Sequence, residues 1–249
     1  MINIICTDLD GTLLDNQKNL SKTNIKWIKK WQGAGNLFGI SSGRQISGIK
    51  RIYKNKFQPD FLVGLNGGWI DDIHHHEHFY KISKDHLSQV IKCLTDLNIV
   101  NADFTQNGKT KKIPIRAAIN DQNGYEKISL VFNDDKIADQ VFIQVKELPL
   151  EVTRSDYHYI EISEKGRTKL SGVIDAIGKE NLVHLAAVGD FYNDIPLIKV
   201  AQLGVVVANA VKDAKKVADL IVADNNDNGV ADLIMRLMKN EQNKTEFKK

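Results

Sequence analysis

Two carboxylates stand directly after the first apolar segment of the chain. Asp8 and Asp10 follow Ile2–Cys6, in the sequence Thr-Asp-Leu-Asp-Gly-Thr that begins at Thr7. Because successive strand residues point to opposite faces, an extended chain presents Asp8 and Asp10 on one side. Two neighbouring anions need a cation, and Mg²⁺ takes hard oxygen ligands of this kind together with substrate phosphate. A strand followed by an ordinary Asp-Gly turn has the same pattern, so the pair alone leaves both interpretations open.

Two later segments carry groups suited to binding phosphate. Ser42, Gly43 and Arg44 follow a second apolar run and precede a predicted helix, where a hydroxyl and free backbone N–H groups can hold phosphate oxygens. The same residues fit an ordinary helix N-cap. Lys169 lies at the start of a later predicted helix, and its ammonium group would neutralise a phosphoryl group. A lone helical lysine is also commonly a solvated surface residue.

A third carboxylate segment is more specific. The sequence Gly-Asp-Phe-Tyr-Asn-Asp, from Gly189 to Asp194, follows the apolar run Val183–Val188. It places Asp190 at the end of a predicted strand, which is where open α/β sheets bind ligands. Asp194 also fits a helix N-cap with Pro196 in the first turn, but that role does not explain Asp190.

Strands that alternate with helices position these groups at both ends of the chain. Such alternation predicts an α/β fold with a parallel sheet. The predicted strands are Ile2–Thr7, Leu37–Ser41, Phe61–Gly64, Val183–Val188 and Leu203–Val207. The predicted helices are Ser21–Gln32, Gln45–Tyr53, Thr168–Ile177, Asp194–Val200, Ala210–Ala218 and Val230–Met238.

The middle of the chain has a different pattern, with grouped strands and only two helices. The predicted strands are Ile115–Asn120, Lys127–Phe132, Leu150–Thr153 and His158–Ile162, and the predicted helices are Ser83–Leu97 and Asp135–Val145. Strands grouped in this way predict an α+β unit. We expect residues 81–164 to form this unit, inserted into an α/β core made of residues 1–80 and 165–249.

The composition is that of an ordinary globular protein. The 249 residues have a formal net charge of +3, which is too small to require nucleic acid or an anionic membrane as a partner. The two cysteines, Cys6 and Cys93, form no disulfide framework, and the apolar start is interrupted at Asp8 without a preceding basic region. These features predict a cytoplasmic protein, a monomer or weak dimer, that acts on a small molecule.

The ordered motifs resemble those of haloacid dehalogenase (HAD) superfamily phosphatases, of Cof-type subfamily IIB with a C2-type cap. Ser42 stands where these proteins usually have Thr, and Ala208 where they often have Gly, but neither difference removes a required functional group. The resemblance covers nearly the whole chain. The similar stretches are Asp8–Leu14, Ser42–Arg44, Leu65–Gly68, Lys169, Gly189–Asp194, Ala208–Ala210 and Asn228–Ala231.

This resemblance implies a Rossmann-like three-layer α/β/α core with a parallel sheet and an inserted α+β cap domain. It also implies Mg²⁺-dependent hydrolysis of a small phosphorylated metabolite, a sugar phosphate or similar phosphomonoester, through an aspartyl phosphate. Asp8 would be the nucleophile and Asp10 the general acid and base.

The same resemblance implies the ligand sets. Asp8, the main-chain carbonyl of Asp10 and Asp190 would hold Mg²⁺, with Asp194 outside the first coordination shell. The Asp10 side chain would then be free to transfer protons. The residues expected to surround the phosphate are Ser42, Gly43, Arg44, Lys169 and Asn193.

The insert is expected to choose the substrate, because the core binds only the phosphoryl group. Its polar and aromatic candidates are Arg116, Arg154, Asp156, Tyr157 and His158, although surface turns have the same composition. A histidine cluster precedes the insert. On a strand, His74, His76 and His78 would share one face and could bind a transition metal, but a solvated hairpin is the favoured interpretation.

Other functions fit parts of this pattern. A phosphomutase or phosphotransferase would pass the aspartyl phosphate to a hydroxyl group instead of water. A non-catalytic sugar-phosphate-binding protein would keep the site without turnover. A nucleotide-sugar glycosyltransferase also uses an Asp-x-Asp pair, but it would leave Lys169 and Gly189–Asp194 without a role.

Overall fold

The computed structural model describes residues 1–246, which form two β-sheets with surrounding helices. The strands are β1 (Ile4–Thr7), β2 (Leu37–Ser41), β3 (Phe61–Gly64), β4 (Trp69–Asp71), β5 (Glu77–Phe79), β6 (Asn101–Gln106), β7 (Lys109–Pro114), β8 (Lys127–Val131), β9 (Glu151–Asp156), β10 (Tyr159–Ser163), β11 (Leu185–Gly189), β12 (Leu203–Val207) and β13 (Leu220–Val222). The helices are α1 (Lys22–Gly33), α2 (Ile46–Tyr53), α3 (Lys84–Asp96), α4 (Asp135–Val145), α5 (Lys169–Ile177), α6 (Ile195–Val200), α7 (Lys212–Val217) and α8 (Gly229–Glu246).

The larger sheet has eight strands in the order β13-β12-β11-β1-β2-β3-β4-β5. The first six are parallel, and β4 and β5 add an antiparallel edge. Every residue of β1, β3 and β11 is buried, as expected for parallel strands covered on both faces. The predicted α/β core with a parallel sheet is confirmed.

Most predicted core elements are present, with shifts at their ends. The strand predicted at Val183–Val188 starts only at Leu185, because residues 179–184 form a 3₁₀ helix. The short edge strand β13 was not predicted. No helix in residues 1–246 is both long and apolar enough to cross a membrane.

The second sheet is antiparallel, with the order β7-β6-β8-β10-β9. Its apolar side chains alternate with polar ones and pack with α3 and α4 into a separate hydrophobic cluster. Members of this cluster from the sheet include Ala102, Phe104, Ile128, Leu130, Val152, Ile160 and Ile162. The predicted insertion of an α+β unit into the α/β fold is confirmed.

One predicted strand of this unit is wrong. Residues 115–120 form a 3₁₀ helix, and the strands in this region are β6 and β7 instead. Nearly all of β7 is exposed, so it lacks the apolar alternation that marks a strand in sequence. The sequence signal for this hairpin is the dipeptide Asn107-Gly108. It forms the two-residue turn between β6 and β7, and φ is positive at both residues.

Candidate active site

The site lies where the strand order of the larger sheet reverses. The central strand β1 pairs with β2 on one side and with β11 on the other. Asp8, Ser42 and Asp190 therefore follow three adjacent parallel strands, and their carboxyl ends meet at one edge of the sheet. A crevice at this position is the usual ligand site of open α/β sheets. Asp8 is fixed there because its backbone N–H donates to Val188 O over 2.9 Å.

Lys169 is the first residue of α5 and is only 2% exposed. Its Nζ donates to Asp8 Oδ1 over 2.7 Å and to Asp194 Oδ1 over 2.6 Å. Burial alone would lower the pKa of Lys169, but the two carboxylates raise it above its usual value, so the group is a cation. The surface-lysine interpretation is therefore wrong.

Asp194 faces the site and does not cap its own helix. It precedes α6 with Pro in the first turn, but its side chain makes no capping hydrogen bond to that helix. Its Oδ2 instead accepts the backbone N–H groups of Asp190 and Phe191, each over 3.1 Å. This contact shapes the loop that carries Asp190.

Asp190 lies close to the turn that follows β1. Its Oδ1 accepts the Thr12 hydroxyl over 2.6 Å. A Cβ atom at Gly11, where φ is +79°, would lie 2.5 Å from Asp190 Oδ2, so the approach requires glycine. Burial, followed by the negative charge of Asp194, raises the pKa of Asp190 to about 7.

Asp8, Asp190 and Asp194 form a cluster of acidic groups suited to a divalent cation. Each offers a carboxylate oxygen, and these atoms all lie within 4.8 Å of one another. Burial raises the pKa of Asp8, while Lys169 acts in the opposite direction. Buried carboxylates of this kind are costly without counter-charge, and their hard oxygen atoms match the ligand preference of Mg²⁺.

Two cations hold the Asp10 side chain, which the resemblance implied would be free to transfer protons. Its carboxylate is bound by Arg44, with 2.6 Å from Nε to Oδ2 and 2.6 Å from Nη2 to Oδ1, and by Lys18 Nζ at 2.9 Å. Burial would raise the pKa of Asp10, but these two cations lower it below its usual value. The Asp10 side chain is therefore engaged in this structure, because Arg44 forms a two-point ion pair with it, and its role in proton transfer stays a prediction.

Ser42 and Asn193 are both buried beside these groups. Ser42 does not cap α2, whose N-cap position is Gln45, so the N-cap interpretation is wrong. Asn193 Nδ2 donates to Asn66 Oδ1 over 3.2 Å, which links the loop after β11 to the turn after β3.

A cavity of about 450 Å³ opens between these residues and the polar face of the second sheet. Only one residue of this face was named as a candidate from sequence. The alternation of polar and apolar residues in β6, β8 and β10 was the sequence signal that these strands have one polar face. From the core, the lining residues include Asp8, Asp10, Lys18, Ser42, Gly43, Arg44, Phe191 and Asn193. From the insert, they are Asp103, Thr110, Lys127, Ser129, Ser155, Asp156, Tyr159 and Glu161.

Only one of the five insert residues singled out from sequence, Asp156, lines this cavity. Arg154 and Tyr157 line a second cavity of about 550 Å³, which also contacts Lys169 and Asn193. Arg154 is paired with Asp139 at 2.6 Å. His158 is paired with Asp135 at 3.0 Å. Neither His158 nor Arg116 lines either cavity.

The histidine cluster lies in and after the turn of the β4–β5 hairpin, as the favoured interpretation predicted. Asp72 organises this turn, because its Oδ1 accepts the backbone N–H groups of His74 and His76. The histidine side chains are exposed. Within the described part of the chain, no histidine belongs to a group arranged to hold a metal ion.

Comparison with known proteins identifies the family. The sequence pattern of haloacid dehalogenase-like hydrolases matches residues 5–111 and 98–234. The chain is 31% identical over 241 residues to the 5-amino-6-(5-phospho-D-ribitylamino)uracil phosphatase YcsE of Bacillus subtilis (strain 168), with 94% of each chain covered.

Two solved structures share the fold. A HAD/COF-like hydrolase from Plasmodium vivax superimposes with a TM-score of 0.84 at 21% identity, covering 96% of each chain. The HAD subclass IIB sugar phosphatase BT4131 superimposes with a TM-score of 0.80 at 16% identity, covering 94% of this chain and 98% of its own. The chain therefore belongs to the haloacid dehalogenase-like hydrolases and is a phosphatase.

Proposed function

We propose that this protein hydrolyses a small phosphorylated metabolite, a sugar phosphate or similar phosphomonoester, by Mg²⁺-dependent transfer of the phosphoryl group to Asp8 and then to water. The observation that carries the proposal is the position of Asp8. It lies at the carboxyl end of the central strand, next to the Lys169 ammonium group, and it lines a cavity that also contains Asp10, Ser42 and Arg44.

In the first step, an Asp8 carboxylate oxygen attacks phosphorus, and the bond between phosphorus and the leaving oxygen breaks. The leaving oxygen takes a proton from Asp10. In the second step, water attacks the phosphorus of the aspartyl phosphate while Asp10 accepts a proton, which regenerates the Asp8 carboxylate. The covalent intermediate divides one difficult displacement into two easier ones.

Asp10 can perform this role only after its ion pair is rearranged. While Arg44 and Lys18 hold it, the lowered pKa keeps it ionised. An incoming phosphate dianion competes for both cations. Asp10 released from them regains a higher pKa and carries the proton that the leaving oxygen needs.

The acidic groups around Asp8 fit a divalent metal. Asp8, the main-chain carbonyl of Asp10 and Asp190 would hold Mg²⁺, with Asp194 behind them as the partner of Lys169. When bound, the ion offsets the repulsion between the carboxylates and the phosphate. Phosphoryl transfer depends chiefly on positioning and charge neutralisation, so the ion complements Lys169.

The groups proposed to bind the phosphate oxygens come from three segments. Ser42 and the backbone of Gly43 follow β2, Lys169 begins α5, and Asn193 follows β11. Arg44 would move from Asp10 to the phosphate.

We propose that residues 81–164 form a cap that selects the leaving group. The side chains that line the 450 Å³ cavity from this segment are hydroxyl-bearing or charged. Lys127 and Glu161 pair with each other, so Asp103 and Asp156 supply the net negative charge. Hydroxyl and carboxylate groups can hydrogen-bond a polyhydroxylated leaving group, whereas the negative charge of the carboxylates repels a carboxylated one. The substrate named for YcsE likewise carries its phosphate on a ribityl chain.

A screen of phosphomonoesters with Mg²⁺ tests the proposal. Polyol and sugar phosphates should release inorganic phosphate faster than carboxylated esters such as phosphoglycolate. Phosphate and free alcohol should appear in equal amounts, because the acceptor is water. Phosphate retained on a second sugar would instead indicate a phosphotransferase, and binding without turnover would contradict an enzymatic role.

A further inference from the structure

A buried ion pair in the second sheet reaches into the core. Lys127 of β8 and Glu161 of β10 have side chains only 8% and 6% exposed, and both line the 450 Å³ cavity. Lys127 Nζ donates to Glu161 Oε1 and, over 2.6 Å, to the backbone oxygen of Gly43. Glu161 Oε2 accepts Asn66 Nδ2 over 2.8 Å. The pair therefore contacts two different core segments.

Both contacted core segments are joined to each other and to the candidate site. Asn66 N donates to Ser42 O, and Leu65 N donates to Arg44 O, each over 3.1 Å. Asn66 is buried with a left-handed backbone (φ 54°), and its side-chain oxygen accepts Asn193 Nδ2. A strained, buried residue of this kind persists only where its surroundings hold it, and Glu161 is one of those restraints.

Close packing at Gly43 reinforces the contact. A Cβ atom there would lie 3.0 Å from Glu161 Oε2 and 3.3 Å from Asn66 Oδ1. The backbone between Ser42 and Arg44 is therefore pressed against the ion pair without an intervening side chain.

The ion pair is directed at the core rather than at a ligand. Each carboxylate oxygen of Glu161 has a protein donor, and Lys127 has two protein acceptors. A buried ion pair is also weak evidence for a role in stability alone, because a protein with apolar residues of similar volume in its place is often equally stable. Its contacts instead fix the relative position of the insert and the phosphate-binding segments.

We propose that Lys127 and Glu161 are positioning residues, which hold Ser42–Arg44 and the Asn66–Asn193 contact in the geometry for phosphoryl transfer when the insert is closed over the core. This inference rests on the proposed phosphatase function. It predicts that the pair acts on the phosphoryl-transfer step for every substrate, regardless of its leaving group.

The decisive variant is the double substitution Lys127→Met and Glu161→Met, compared with each single substitution and with Glu161→Gln. Each single variant leaves a buried polar group without its partner and should unfold at lower denaturant concentration. The double variant should recover much of that stability but keep a kcat about 10- to 100-fold below the wild type. Recovery of wild-type kcat in the stable double variant would overturn the proposal.

Two substrates distinguish positioning from recognition of the leaving group. With the best substrate from the screen and with p-nitrophenyl phosphate, kcat should fall by the same factor, and KM should change by less than about threefold. A loss confined to the better substrate would overturn the proposal. If the double variant does not fold, the kcat of Glu161→Gln is measured on the same two substrates. An unchanged kcat in that variant would also overturn the proposal.

Asp135→Asn is the matched control, because Asp135 forms an ion pair with His158 within the insert and contacts neither core segment. It should retain wild-type kcat. A wild-type protein inactive on every phosphomonoester would refute the proposed function itself, whereas an active wild type with active Lys127 and Glu161 variants would refute only the positioning role.

Discussion

Lys169 and Asp8 form a buried ion pair, with Nζ 2.7 Å from Oδ1, and the same ammonium group lies 2.6 Å from Asp194 Oδ1. A single cation thus pairs with two carboxylates that are nearly inaccessible to water, which leaves one negative charge uncompensated. This arrangement keeps the proposed nucleophile in place. It also makes the stability of the site depend on Lys169 and on any bound metal ion.

Lys169→Met should destabilise the metal-free protein by about 3 to 5 kcal/mol, because it leaves Asp8 and Asp194 buried without their cation. Urea unfolding measures the change. Lys29→Met, at an exposed position of α1, is the control and should shift stability by less than about 0.5 kcal/mol. Equal stability of the two variants would show that Lys169 is not the counter-ion of the site.

Removing divalent metal should abolish turnover, and adding Mg²⁺ should restore it, because the carboxylates otherwise repel the phosphate. Binding should also be visible without any substrate. Mg²⁺ should raise the melting temperature of the wild type by mass action, and it should do so less in Asp190→Asn. Full activity in chelator-treated, metal-free buffer would refute the metal requirement.

The stability contribution of Glu161 should depend on pH. Burial would raise the pKa of Glu161, but the Lys127 charge and hydrogen bonds from Lys127, Ser155 and Asn66 hold it below its usual value of about 4.3. Since the folded state lowers this pKa, the contribution is present above about pH 4.3 and is lost as pH falls through the folded-state value.

The free energy of unfolding of the wild type should therefore exceed that of Glu161→Gln by a constant amount above about pH 5.5, and this difference should shrink below about pH 4. Urea titrations across this range measure it. A difference that grows as the pH falls would contradict the assigned direction of the pKa shift.

Substrate choice should respond to the carboxylates of the insert. Asp103→Asn removes one negative charge from the cavity wall and should raise kcat/KM for phosphoglycolate by about fivefold, equivalent to about 1 kcal/mol. Polyol phosphates should be nearly unaffected. Asp85→Asn, in the first turn of α3 and outside the cavity, should alter neither value.

The core and the grouping of its site residues were predictable from sequence, because both rest on local patterns. Apolar runs ending in Asp8, Ser42 and Asp190 identify parallel strands, and parallel strands bring their ends to one edge. Burial of Lys169 could not be predicted in the same way, because a lone lysine at the start of a helix is commonly solvated. The contact between Lys127 and Gly43, in contrast, joins residues far apart in sequence, and nothing local to either residue indicates it.

The pairing of Asp10 with Arg44 and Lys18 also escaped prediction. The resemblance supplied a role for Asp10 in the reaction but no partner for its side chain. Arg44 follows a different strand, and nothing local to Asp10 indicates that the two side chains form a two-point ion pair. In the insert, the exposed and highly charged β7 lacks apolar periodicity, which hid this strand and the β6–β7 hairpin in the sequence. The cavity-lining residues of the insert come mainly from β6, β8, β9 and β10, and no local pattern indicates that their polar face lies opposite Asp8.

The role of Asp8 is tested most directly by phosphate release from wild type and Asp8→Asn, measured with Mg²⁺ on the best substrate of the screen. The substitution keeps the size of the side chain and removes the nucleophilic carboxylate, so turnover should fall at least about 1,000-fold while cooperative unfolding is retained. Asp15→Asn, at a turn outside the cavity, should remain fully active. Retention of more than about one tenth of wild-type turnover by folded Asp8→Asn would contradict the assignment of Asp8 as the nucleophile.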